Sequence, residues 1–179
     1  MLHFLRAAGA LLLFLPRRAA ALPVVLWTAL IAWLGSWSSV GVGALGASAL
    51  LTNLAHAPLF GLLALWFALA LPRVGAGGGG WPRLGGADRG RVLAAVALWA
   101  LADEVHQLVL NRGRDFSLLD IATDLVGAAC VLAVIDYLGR DAAGERGLLG
   151  RLALGGAACL AAAASATWVP LLFPGAAWL

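Results

Sequence analysis

Residues 92–110 read VLAAVALWALADEVHQLVL: eleven apolar residues, then Asp103-Glu104-Val105-His106-Gln107, then three more apolar residues. The run has the length of about 20 residues that a helix needs to cross a ~30 Å hydrocarbon core. Yet it carries two acids, and a charged side chain at mid-membrane costs about 2.5–3.5 kcal/mol, less near an interface. At roughly 100° per residue, Asp103, Glu104 and Gln107 share an arc of about 100°, with His106 on its flank. Such a helix can turn its polar arc toward neighbouring helices while the rest of its surface meets lipid. The expected architecture is therefore an all-α, polytopic transmembrane bundle.

The rest of the chain supplies the neighbours. Apolar runs of spanning length recur at residues 19–36, 54–71, 118–138 and 152–173, which makes five spans in all. Hydrophobic residues make up 63% of the 179 and charged ones only 12%, and mean hydropathy is +0.94. A soluble domain keeps about 25% charged residues, so too few charges remain here to cover a water-facing surface. The alternating pattern of a membrane barrel, with segments of about 10 residues, is absent. A G-x-G-x-x-G match at Gly75, Gly77 and Gly80 follows a membrane span ending in Pro72, where a dinucleotide loop needs a strand. It carries no cofactor reading, and none is expected elsewhere. Cys130 and Cys159 lie in apolar runs without ligand spacing and read as small core residues.

All twelve basic residues are arginines, and the formal net charge is +3. They sit in short connections between spans, where they set topology, so nucleic acid is not an expected partner. Arg6, Arg17, Arg18, Arg73, Arg83, Arg89, Arg91, Arg140, Arg146 and Arg151 fall on one side, against Arg112 and Arg114 on the other. Positive-inside then makes the N-terminus cytoplasmic. It puts Trp33, Trp37, Trp168 and Trp178 near the outer interface, where aromatic belts form. The expected organisation is a retained cytoplasmic or interfacial leader over residues 1–18 and a four-helix core over 19–138 with a glycine-rich loop at 72–91. A cytoplasmic loop at 139–151 and an additional helix within 152–179 complete it. The leader resembles a signal peptide, but Arg17 and Arg18 occupy the place of a cleavage region.

Four polar groups interrupt the apolar pattern. Beside Asp103 to Gln107, the fourth span carries Ser117, Asp120, Thr123, Asp124 and Gly127 at three- and four-residue spacing, a polar stripe continued by a glycine that permits close helix approach. The second span opens Asn53-Leu-Ala-His56-Ala-Pro58. With Pro58 in a first turn, His56 is expected at the helix N-terminus, where the dipole disfavours imidazolium. The loop Asn111-Arg112-Gly113-Arg114-Asp115-Phe116 holds the two arginines that break the topology rule. Connectivity brings all four groups to the same side of the bundle, so His56, Glu104, Gln107, Arg114, Asp120 and Asp124 can converge. Plainer roles stand beside this. Asp120 fits a helix cap, Arg112 and Arg114 fit surface pairs with Asp115, His56 fits an interfacial histidine, and a Glu104–Arg114 pair fits a rigidifying contact. Asp136, Asp141 and Glu145 belong to the cytoplasmic edge.

Residues 102–127, ADEVHQLVLNRGRDFSLLDIATDLVG, resemble the signature of the VanZ-like family: a Glu and Gln ending one helix, a Gly-Arg turn, an Asp opening the next helix, and a Gly beyond it. Asn53-Leu-Ala-His56 resembles that family's upstream His motif, and the resemblance covers roughly residues 27–137. It points to His56, Glu104, Gln107, Arg114, Asp120 and Gly127, while Asp124 stands where members often have Asn. The family is named for a membrane protein associated with resistance to teicoplanin, so the resemblance implies an integral protein of the cell envelope, in a bacterial-type cytoplasmic membrane.

Three functions fit these residues. In the first, a polar outer pocket binds a lipid head group, a lipid-linked cell-wall precursor or a lipoglycopeptide. Arg112 and Arg114 then hold phosphate or carboxylate, and Gln107, Asp124 and His106 complete the site. In the second, an intramembrane enzyme acts on a lipid or polyprenyl phosphate. Glu104 or Asp120 is its base, His56 its acid or second base, and Arg114 steadies developing charge. A divalent cation on Asp120, Glu104 and Asp124 is a variant of this, although carboxylates alone form no diagnostic metal spacing. The third, a proton-linked transporter, ranks last because the acids gather at one end and no inverted repeat is visible.

Overall fold

The computed structural model describes residues 1–37, 47–71, 81–110 and 116–173. Six helices fill them: α1 (Leu2–Leu13), α2 (Arg17–Trp37), α3 (Ala47–Ala70), α4 (Gly86–Leu110), α5 (Leu118–Leu138) and α6 (Glu145–Leu172). No strand occurs among the described residues. Helices α2 to α6 are long and apolar enough to cross a membrane. Val25 on α2, Leu51 on α3, Leu98 on α4 and Leu154 on α6 are each 62–74% exposed. An apolar exterior on several helices is stable in lipid and a liability in water. The polytopic helical architecture expected from the sequence is the one observed.

Helices α3 and α5 form the centre and pack most extensively on each other. Phe60, Leu63 and Ala64 of α3 meet Ala128, Leu132 and Ile135 of α5, and Val92 and Val96 of α4, Ile31 of α2 and Leu148 of α6 close the core. Glycine makes the approach possible. A Cβ on Gly127 would lie on the Ala57 carbonyl oxygen and 2.6 Å from Ala57 Cα, and one on Gly61 would lie 2.8 Å from Val131 Cγ2. Two backbones can touch only where the side chain is absent. Hydroxyls in the spans satisfy themselves locally: Thr28, Ser36, Thr52, Ser165 and Thr167 each donate to the carbonyl four residues back.

That local bonding also explains where α3 begins. Its first turns, Ala47 to Asn53, read as a connection because they hold Ser48, Thr52 and Asn53. Instead the Thr52 hydroxyl donates to Ser48 O at 3.0 Å and the segment is helical. Pro58 therefore lies inside the helix, and His56 is nine residues from its start. The expectation of a histidine under the influence of the helix N-terminus is overturned. Similarly, α4 begins at Gly86 and α6 at Glu145, each several residues ahead of its apolar run.

Most of the described arginines gather at one end of the bundle. Arg83 pairs with Asp141 at 2.8 Å, Arg140 with Asp136 at 2.7 Å and Arg91 with Asp88 at 2.8 Å. The leader is helical and docks there. Trp81 Nε1 donates to Leu5 O at 2.8 Å, Arg6 donates to Arg140 O at 2.9 Å, and the amino terminus meets Glu145 at 3.1 Å.

Gly127→Ala is expected to lower stability by about 1–3 kcal/mol, because the added methyl must push α3 and α5 apart. Gly150→Ala, where a Cβ meets nothing within 4 Å, is expected to be neutral or stabilising by up to about 1 kcal/mol. Unfolding of the two variants in detergent micelles measures both.

Candidate functional site

At the end of the bundle opposite the arginines, α3, α4 and α5 bury an unusual set of polar side chains. Asp103, Glu104 and Gln107 of α4 and Asp120, Thr123 and Asp124 of α5 are all buried, none more than 7% exposed. At 1.5 Å per residue, Asp103 on α4 and Asp124 on α5 lie about 10 Å inside their helix ends. The arc on α4 and the stripe on α5 both face protein, as their spacing requires.

His56 of α3 reaches Asp124 of α5, with Nδ1 and Oδ1 3.0 Å apart and side chains 12% and 2% exposed. This contact joins the two central helices. The contact stands beside the Ala57–Gly127 approach, so the backbone closeness that Gly127 allows sets its length. The His56 ring lies parallel to Phe60, at an interplanar angle of 2° with centroids 6.2 Å apart. Asp120, Glu104 and Asp103 are buried at the same end of the bundle as this pair. These five titratable groups form one cluster.

The remaining polar groups hold one another. Gln107 Nε2 donates to Asp103 Oδ2 at 2.6 Å. Gly35 of α2 packs on this pair: a Cβ there would lie 3.2 Å from both Asp103 Oδ1 and Gln107 Nε2. Glu104 Oε2 accepts from the backbone N–H of Ser117 at 2.9 Å, and Ser117 Oγ accepts from Asp120 N at 3.1 Å. Ser117, not Asp120, is thus the side-chain cap of α5. Glu104 supports that cap from α4 and satisfies a backbone donor that hydrocarbon would leave exposed. On the far side of α3, Asn53 Nδ2 donates to Thr167 Oγ1 of α6 at 3.0 Å.

A cavity of about 420 Å³ opens between α2, α3 and α4 beside this cluster. His56, Asp103, Gln107 and Thr52 supply its polar wall, and Ile31, Leu34, Leu51, Leu59 and Phe60 much of its apolar wall. Glu104, Asp120 and Asp124 do not line it, and they stand behind the polar wall. His106 is half-buried, and neither lines the cavity nor bonds to any of these groups among the described residues. Arg112 and Arg114 lie outside the described residues. Among those described, no group of three or more His, Cys, Asp or Glu side chains is placed to hold a metal ion, so a cation on Asp120, Glu104 and Asp124 finds no such geometry. Sequence reasoning passed over Asp103, Gly35 and Asn53 as functional. The first was visible in the shared arc with Gln107, whereas Gly35 carried no signal that α4 would pack against it, and Asn53 none that α6 would.

A double-mutant cycle on His56→Ala and Asp124→Ala is expected to return a coupling of about 0.5–3 kcal/mol in thermal unfolding. The cycle on His56→Ala and Asp136→Ala, whose residues stand at opposite ends of the bundle, is expected to be additive within about 0.5 kcal/mol. Comparison with protein-family models, with curated proteins and with solved structures gives no match for this chain.

Proposed function

We propose that this chain is a VanZ-like integral protein of a bacterial cytoplasmic membrane. Its cavity receives the polar head of a lipid, a lipid-linked cell-wall precursor or a lipoglycopeptide such as teicoplanin. The motif order within residues 102–127, with Asn53 to His56 upstream, supports the family. The arginine count supports a cytoplasmic N-terminus, which turns the cavity outward. One observation carries the binding role: His56, Asp103 and Gln107, from two helices, meet at the wall of an otherwise mostly apolar cavity. An apolar space with a few convergent polar groups suits a ligand that is itself part polar and part apolar. Arg112 and Arg114 are assigned to an anionic group on that ligand, because guanidinium forks match phosphate and carboxylate.

A second reading has its own observation. With Nδ1 on Asp124, His56 keeps Nε2 free of any hydrogen bond to a described residue, and the ring borders the cavity. A carboxylate that orients one imidazole nitrogen while the other faces a reactant is the arrangement of a general base. In this reading His56 takes the role of base and Asp124 positions it. Glu104, engaged on Ser117 N, serves the fold, and Asp120 stands behind the pair.

Binding measured on the full chain in nanodiscs tests the proposal, with teicoplanin and a polyprenyl phosphate titrated separately. Gln107→Ala is expected to weaken one of them about tenfold, the loss of a hydrogen bond to a polar head. Binding of neither probe, or unchanged binding by both Gln107→Ala and Arg114→Ala, removes the binding role. Release of phosphate from the bound polyprenyl phosphate that stops in His56→Gln while binding persists establishes the second reading.

A further inference from the structure

We propose that a crevice between α3, α5 and α6 holds one acyl chain of an anionic phospholipid, with its phosphate on Arg151. The crevice has a volume of about 410 Å³ and lies on the other side of α3 from the His56 cavity. It runs from Leu54 to Leu65 on α3 and from Gly127 to Leu138 on α5. Each is eleven residue steps, about 16 Å at the helical rise. That is close to half of a ~30 Å hydrocarbon core, the depth of a single leaflet. The site thus has the length of one lipid tail and ends at the arginine-rich side.

Its walls suit a tail. Val131, Val134 and Ile135 line it without a polar side chain, Gly155 of α6 packs on Cys130, and Gly156 leaves the slot open. A Cβ on Gly156 would meet nothing within 4 Å, so the space beside that glycine is unfilled by protein. Trp81 and Leu5 border the same crevice near the arginine-rich end.

Charge identifies the head group. Arg83, Arg91 and Arg140 at this end are engaged by carboxylates. Arg151 borders the crevice and has no carboxylate within 4 Å among the described residues. It is held instead by Gly147 O at 3.0 Å and by the face of Tyr137, 3.8 Å from the ring centroid. These two contacts fix the guanidinium without neutralising it. A fixed cation at the mouth of a leaflet-deep apolar slot is complementary to a phosphate ester bearing a net negative charge. A zwitterionic lipid offers the same tail and a weaker head contact.

Native mass spectrometry of the full chain, extracted from bilayers of equal phosphatidylglycerol and phosphatidylcholine, tests this. The wild-type protein is expected to retain one phosphatidylglycerol with about fivefold preference, the worth of one basic residue at a membrane surface. Arg151→Gln is expected to bring the preference to near parity. Gly156→Leu, which fills the slot from a position with room for a side chain, is expected to lose both lipids. Added inorganic phosphate is expected to leave retention unchanged. The proposal is overturned by a wild-type protein without lipid preference, by an Arg151→Gln protein that keeps it, or by a Gly156→Leu protein that retains lipid normally. Displacement by inorganic phosphate overturns it too, since the arginine then takes a free anion.

Discussion

Hydrocarbon offers a carboxylate nothing to bond to, and this chain places Asp103, Glu104, Asp120 and Asp124 inside membrane-spanning helices. Every other feature of that end of the bundle answers this constraint. Asp124 takes His56 as its partner, Asp103 takes Gln107, and Glu104 takes the Ser117 amide. None of these bonds lies within a single turn of free helix surface exposed to lipid. Two of them join different helices, so the helices cannot separate without stranding a polar group. A buried polar group left alone costs more than a satisfied one contributes. The cluster therefore selects one packing of α3, α4 and α5 over its alternatives.

Small residues let that selection operate. His56 can reach Asp124 because Gly127 allows α5 against Ala57 of α3, the next residue along. Gly35 performs the same service for α2 beside Asp103 and Gln107. Polar contacts at hydrogen-bond distance and backbones at contact distance are thus one feature seen at two scales. The cavity between α2, α3 and α4 follows from it, since the Gln107–Asp103 and His56–Asp124 bonds hold its polar wall in place.

Much of this was legible in the residues. Five apolar runs gave five spanning helices, because an apolar segment of that length has no other stable form in a bilayer. The arc through Asp103, Glu104 and Gln107 and the stripe through Asp120, Thr123 and Asp124 are both buried, as periodicity demands. Partners were not legible. Spacing along α4 says which way Glu104 points, but its acceptance from Ser117 N depends on how the chain returns into α5. The depth of His56 was misread because Ser48, Thr52 and Asn53 resemble a connection. In lipid such hydroxyls bond back into their own helix, and polarity then ceases to mark its end. Gly35 shows the same limit, as a glycine acquires meaning only from what packs on it.

The proposed function requires that the polar cluster border a wetted space reached from one membrane face. Ala55 lines that cavity, whereas Leu154 faces outward from α6 and is 74% exposed. With Cys130 and Cys159 replaced by Ala, single cysteines at 55 and 154 can be offered a charged, membrane-impermeant thiol reagent in sealed vesicles. Rapid modification is expected at 55 from the side opposite the arginine-rich end, and none at 154. Protection at 55 from both sides, or equal reaction at the two positions, would contradict it.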